Sequence, residues 1–311
     1  MKDKKIAVVG IGGVGGYLAG MLVPAFPHVT LAARGARGET IAKDGLTLHS
    51  EYQGERRVRP ERVEFEATRL SPQDYIFLCV KNYSLEQAVE EIKGAVTDKT
   101  VVIPVMNGVD AGERTRRLLG KGIVVDSLIY IVSFAGEDYS IYQQGNFADV
   151  RIGIMDADEG ERRAVAETAE ILSLAGVDYE VAEDIEQEIW RKYILNCAFN
   201  VATAAYDNTI GELRDDPAKT QEYKDLVWEA YAVARAKGVH VTEEHARIIE
   251  ERFYKYAYDA TSSLQRDVRA GKPSEVDVFS GYLVRTARAL GVDVPVSEKM
   301  YGMLRAKREM E

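Results

Sequence analysis

Three side chains that can donate or accept hydrogen bonds recur at every fourth position of one apolar stretch. Residues 190–206 read WRKYILNCAFNVATAAY, with Lys192, Asn196 and Asn200 at i, i+4 and i+8. On an α-helix each such step drifts by only about 40°, so the three form a stripe. The residues between them, Ile194, Leu195, Cys197, Ala198, Phe199 and Val201, are apolar. Little of this helix can face water, and the stripe is expected to border a semi-buried cleft. Most polar strips on helices are solvated faces. Those carry mixed charge, whereas this strip carries one charge and two neutral amides. Apolar surroundings disfavour an ammonium and lower its pKa, which suits Lys192 to protonate a developing alkoxide. The amides suit hydroxyl or carboxylate oxygens. Downstream, SSLQRDVRAGKPSEVD (262–277) adds Ser263 as a hydroxyl ligand and Glu275. Ser274 is expected to cap a helix with Glu275 in its first turn, where the helix dipole favours negative charge. By itself that is ordinary helix-start chemistry.

A second candidate site lies at the other end of the chain. Residues 10–15 read GIGGVG, so Gly10, Gly12 and Gly15 fit G-x-G-x-x-G. The first glycine permits a tight turn, the second lets a pyrophosphate approach the backbone, and the third lets helix and strand pack closely. The motif alone is weak, but here it follows the strand-like KKIAVVG and opens the helical GYLAGMLVPAF, the context that marks a dinucleotide site. The whole turn, Gly10, Ile11, Gly12, Gly13, Val14 and Gly15, is therefore a candidate cofactor contact. An acidic residue ending the second strand would hold the ribose 2′-hydroxyl of NAD. This strand instead ends LAARGARGE, with Arg34 in that place and Arg37 after it. A guanidinium suits the 2′-phosphate of NADP. Lys81-Asn82 and Asn107-Gly108 follow two further apolar runs, where parallel strands open onto a ligand crevice. The alternative for them is an Asn-Gly turn and a lysine in water.

The elements that must position these groups can be read coarsely. HVTLAAR, YIFLCV (75–80), TVVIPV (100–105) and GIVVDSLIYIVSF are strand-like and alternate with helical segments. That pattern predicts βαβ units and a parallel sheet. From about residue 160 the chain reads as helical almost to its end, apart from the strand-like DYEVAE. Asp216-Pro217 starts a helix that Gly238 closes, and Gly291 ends another before Pro295. The expectation is an α/β domain over 1–182 and an all-α domain over 183–311. The 311 residues suffice for two domains.

Composition narrows the partners. The chain is 46% apolar and 29% charged, with formal net charge -10. An acidic chain is a poor match for nucleic acid or an anionic membrane surface. The two cysteines, Cys79 and Cys197, sit in apolar runs, and the four histidines show no metal-ligand spacing. Buried thiols, the lack of a transmembrane-length apolar run and an N-terminus unlike a signal peptide point to the cytoplasm. No metal is expected.

Together these segments resemble the ketopantoate reductases, the 2-dehydropantoate 2-reductase family. The likeness runs over nearly the whole chain: GIGGVG, Arg34, VKNYS, MNGV, WRKYILNCAFNVATA, the Gly211-Glu212-Leu213 segment and SSLQRDVRAGKPSEVD. It implies a Rossmann-type NADPH-binding domain followed by a helical domain, of the 6-phosphogluconate-dehydrogenase-like kind, with the active site between them. It also implies that Lys192 is the proton donor and that Asn196, Asn200 and Ser263 bind substrate. Glu275 would help hold the cofactor and close the site. Lys81 and Asn107 would touch the cofactor, with Asn107 also near the substrate. The implied reaction is NADPH-dependent reduction of 2-dehydropantoate to pantoate, which leads to pantothenate and coenzyme A. The helical domain is a candidate homodimer interface. Two features depart from the family pattern. Ile210 stands where the family often has a substrate-binding asparagine, and Asn208 is the nearby candidate to replace it. Gly13 stands where alanine is common, a difference expected to have no consequence. Ile210 leaves open a reductase of another 2-oxo acid. A non-catalytic NADPH-binding sensor would need the glycine turn and Arg34 but not the Lys-Asn-Asn stripe.

Overall fold

The computed structural model describes residues 1–309. The chain divides into two compact units, Met1–Ile185 and the part from Glu186 onward. The first unit opens with β1 (Ile6–Val9), α1 (Gly13–Ala25), β2 (Val29–Ala32) and α2 (Gly35–Asp44). The hairpin β3 (Leu46–Ser50) and β4 (Gly54–Val58) precedes β5 (Arg62–Glu64) and β6 (Tyr75–Leu78). Next come α3 (Leu85–Ile92), β7 (Val101–Pro104), α4 (Ala111–Leu119) and β8 (Ile123–Val124). The unit ends with β9 (Asp126–Ala135), β10 (Ile141–Gly153), α5 (Glu159–Ala175) and β11 (Asp178–Val181).

Six strands form one parallel sheet in the order β5-β2-β1-β6-β7-β8. Counted by chain order within that sheet, this is 3-2-1-4-5-6, the doubly wound Rossmann order. Ligands of such sheets bind beyond the carboxyl ends of the strands where the winding reverses. Here that point lies between β1 and β6, beside Gly10 and Lys81. Alternation along the strands explains why both faces are covered. Ile6 and Val8 face a core that includes Leu18 and Leu22 of α1, while Ala7 and Val9 face one that includes Leu85, Val89 and Ile92 of α3.

A second sheet was not foreseen. Strands β11-β10-β3-β4 pair in that order, with β9 antiparallel to β10. The sheet packs on the far side of α1, and glycines on that helix make the approach possible. A Cβ at Gly20 would meet Leu48 Cδ2 at 2.8 Å, and one at Gly16 would collide with the Ile141 side chain. Helix α1 is therefore sandwiched, with every residue from Gly15 to Leu22 buried.

In the described residues the second unit is helical. It comprises α6 (Ile185–Tyr206), α7 (Ile210–Arg214), α8 (Pro217–Ala236), α9 (Glu243–Arg252) and α10 (Ser263–Arg269), then α11 (Tyr282–Leu290) and α12 (Pro295–Glu309). The Asp216-Pro217 start holds, because the Asp216 carboxylate accepts from the Ala218 N–H at 2.9 Å. The expected start at Ser274 does not. A π-helical turn over Asp277–Gly281 leads into α11, and no side-chain hydrogen bond caps it. Glu275 thus precedes this helix instead of lying in its first turn. No described helix is long and apolar enough to cross a membrane.

Candidate active site

Helix α6 buries Trp190, Tyr193, Ile194, Cys197, Ala198 and Val201, a spacing of i, i+3, i+4, i+7, i+8 and i+11 that forms one apolar face. The adjacent face carries the Lys-Asn-Asn stripe. Lys192 and Asn196 are half-buried, and Asn200 is buried. The stripe is internally bonded: Asn200 Nδ2 donates to Asn196 Oδ1 at 3.1 Å. Ser263 Oγ donates to Asn200 Oδ1 at 3.2 Å, as does the Leu264 N–H at 3.4 Å. Thr203, one turn on, donates to Ser262 Oγ at 2.8 Å, and Ser262 in turn caps α10. Two positions of α6 thus pin the start of α10 and bring Ser263 to the asparagines.

Glu275 comes to the same helix by a different route. The Tyr193 hydroxyl contacts the carbonyls of Val278 and Phe279 at 2.8 and 2.9 Å, and Cys197 Sγ donates to the Phe279 carbonyl at 3.3 Å. Both residues lie one position beyond a member of the stripe. They hold the π-helical turn, and π-turns often mark functional segments. Glu275, 3% exposed, sits at its start. Burial lowers the Lys192 pKa to about 8, against the opposing pull of the Glu275 carboxylate. An ammonium near that value keeps its proton at neutral pH and gives it up readily, as a general acid must.

The hold on the π-turn is testable. Tyr193→Phe keeps the ring and removes the hydroxyl from two carbonyls. Leaving buried acceptors unmet should cost about 1–3 kcal/mol of stability. Urea unfolding of the variant would check this, and an unchanged midpoint would show that the contact does not hold the turn.

Asn208, the nearby candidate to replace the amide missing at Ile210, is engaged with its own neighbours. Its Oδ1 accepts from Lys219 Nζ at 2.8 Å, and its Nδ2 donates to Glu212 at 3.4 Å. Ile210 itself is fully buried at the start of α7.

In the first unit the glycine turn has the shape a pyrophosphate needs. Gly10 has φ +89°, and a Cβ there would lie 2.8 Å from Val80 Cγ1, two residues beyond β6. A Cβ at Gly15 would overlap the Gly10 carbonyl. Gly12 is the N-cap of α1, no side chain caps it, and an added Cβ would meet nothing within 4 Å. The open end of α1 with its uncapped N–H groups fits a phosphate. Gly13 departs from expectation. A Cβ there would lie 2.6 Å from the Ser133 carbonyl carbon and 2.9 Å from the Phe134 nitrogen. The backbone of β9 rests on this position, so alanine cannot enter without moving that strand.

Around the turn, Arg37 donates to the Ile11 carbonyl at 2.7 Å and pins the loop backbone. Arg34 is exposed at the start of α2 and pairs with Glu91 of α3. Lys81 is exposed after β6, and Asn107 is half-buried after β7. Buried Asn82 ties these loops together. Its Nδ2 donates to the Asn107 carbonyl at 2.9 Å, and its Oδ1 accepts from Arg114 at 2.7 Å. Sequence pattern carried no signal for Glu91, Arg114 or the linking role of Asn82, since each acts through a partner distant in the chain.

Comparison with known proteins bears on both units. Residues 6–157 match the family described as ketopantoate reductase PanE/ApbA, and residues 184–308 match its C-terminal domain. An uncharacterized oxidoreductase, YkpB, of Bacillus subtilis is 30% identical over 306 residues, covering 96% of this chain and 97% of that protein. A 2-dehydropantoate 2-reductase of Mesorhizobium japonicum is 27% identical over 326 residues, covering 97% of each. The crystal structure of a PanE/ApbA family ketopantoate reductase from Ralstonia eutropha superposes with TM-score 0.89 at 28% identity, covering 98% of this chain and 99% of that one.

Proposed function

The chain belongs to the ketopantoate reductase family of oxidoreductases, and from that premise we propose that it reduces 2-dehydropantoate to pantoate with NADPH. The observation that carries the proposal is Lys192, an ammonium with its pKa lowered to about 8 by burial and within the electrostatic reach of Glu275. The bonded set Asn196, Asn200 and Ser263 supports it. A sensor that only bound a dinucleotide would have no use for such an acid. Residues 1–182 would hold the cofactor and residues 183–311 the substrate and the acid.

A bound reduced nicotinamide supplies the hydride for the ketone carbon. The glycine turn Gly10–Gly15 receives the pyrophosphate, and Arg34 lies where the ribose 2′ group is read. Lys81 and Asn107, the latter steadied by Asn82, contact the cofactor from the neighbouring strand ends. In the second unit the Lys192 ammonium polarises the ketone oxygen and delivers a proton from Nζ as negative charge develops there. The amides of Asn196 and Asn200 and the Ser263 hydroxyl orient the substrate carboxylate and hydroxyl. The Glu275 carboxylate favours the charged form of Lys192, which keeps the proton available.

Consumption of NADPH by the purified protein with 2-dehydropantoate and a panel of related 2-oxo acids tests the substrate. The expected result is a kcat/KM for 2-dehydropantoate at least about tenfold above the rest, the low end of what a single methylene difference supplies in a fitted pocket. A specific observation favours a second reading. The buried Ile210 offers no hydrogen bond where the family often has asparagine, and Asn208 is engaged elsewhere. If another 2-oxo acid with a more apolar side chain is the better substrate, that reading replaces the first.

A further inference from the structure

We propose that Glu91 sets the dinucleotide preference of this chain by competing with the 2′-phosphate for Arg34. The proposal deepens the cofactor assignment above and rests on it. Arg34 lies two residues beyond β2, at the start of α2, the place in this strand order where the ribose 2′ group is read. Its guanidinium is already engaged: one of its nitrogens donates to both oxygens of Glu91. The two partners differ in exposure, at 60% for the Arg34 side chain and 20% for that of Glu91. Gln87, one turn earlier on α3, steadies the carboxylate by donating to its Oε1 at 2.9 Å. The acid is therefore held in place from its own helix, and the arginine is the partner free to swing.

A 2′-phosphate reaching Arg34 has two options. It can share the guanidinium, which brings the phosphate and carboxylate charges together. Or it can displace the carboxylate, which leaves a largely enclosed acid without its cation. Both weaken binding of the phosphorylated dinucleotide. A 2′-hydroxyl meets neither obstacle, since a carboxylate can accept its hydrogen bond. Glu91 thus narrows the advantage that Arg34 alone would confer on NADPH.

Titrations of the full chain with NADPH and with NADH, read by nicotinamide fluorescence, test this. Glu91→Gln removes the charge while keeping the shape and the contact with Gln87. It should tighten NADPH about fivefold, the scale of a partly exposed charge pair, and leave NADH unchanged or weaker. Glu91→Ala should move the NADPH/NADH ratio the same way, and added salt should shrink the difference between wild type and variant. An unchanged ratio in both variants would overturn the role of Glu91 while leaving the cofactor assignment intact. A wild-type protein that binds neither dinucleotide would overturn both.

Discussion

Replacing Lys192 with alanine lowers kcat about 10³-fold, the range expected when a positioned general acid is lost, while dinucleotide binding persists. The proposed cofactor groups lie largely in the first unit and Lys192 lies in the second, so a titration of the variant with NADPH separates lost chemistry from lost fold. Lys192→Arg sharpens the test. It retains a positive charge for Glu275, but a guanidinium does not release its proton in this pH range, so this variant should also be inactive. If arginine restores turnover, the position supplies charge alone and the acid role is wrong. The pH profile checks the same assignment in the unaltered protein. Burial lowers the Lys192 pKa to about 8, and the acid acts in its protonated form. Below that value kcat/KM should be flat in this group, and above it the rate should fall about tenfold per pH unit. Because the Glu275 carboxylate raises the lysine pKa, Glu275→Gln should move the falling limb to lower pH. A limb that stays in place would separate Glu275 from the acid.

Gly15→Ala should weaken dinucleotide binding by at least about tenfold and lower Tm by about 5 °C or more, as overpacking at a rigid site does. The added Cβ overlaps the Gly10 carbonyl and comes within 2.9 Å of Cys79 Cβ and 3.1 Å of the Gly10 carbonyl carbon. Gly10 has little room to yield, since the space on its side-chain face is taken: even a Cβ there would lie 2.8 Å from Val80 Cγ1 and 3.0 Å from the Cys79 carbonyl. Helix α1 would have to lift away from the strand ends, carrying the phosphate site with it. Gly12→Ala is the instructive partner. Nothing lies within 4 Å of a Cβ there and φ is -93°, so the fold should keep its Tm. That methyl group would instead occupy the space where the pyrophosphate must approach. Loss of binding at unchanged Tm for Gly12→Ala, beside loss of both for Gly15→Ala, would locate the cofactor on this turn. Normal NADPH binding by Gly12→Ala would remove it from there.

What the sequence determined by itself is what neighbours within a turn or a strand decide. The glycine turn between strand and helix, the Asp216-Pro217 start and the αL glycine at 291 follow from local sterics and hydrogen bonding. So does the alignment of Lys192, Asn196 and Asn200, because helical pitch alone puts every fourth residue on one side. The parallel sheet was legible because five apolar runs, at β1, β2, β6, β7 and β8, alternate with helical segments; its edge strand β5, Arg62–Glu64, carries no such run. The tertiary structure alone decided what depends on surfaces meeting. The second sheet exists because Gly16 and Gly20 let β10 and β3 lie on α1, and nothing in the local pattern of β9 or β10 says which helix they will cover. The π-turn before α11 overrode the Ser274 cap, because Tyr193 and Cys197 of a distant helix bond its carbonyls. Arg34 was visible as a cation, but its pairing with Glu91, 57 residues on, was not. The lysine itself was legible, and so was the direction of its pKa shift, from the apolar residues around it. Its electrostatic coupling to Glu275 was not, because the electrostatics of a charge depend on the groups folded around it and only weakly on its neighbours in sequence.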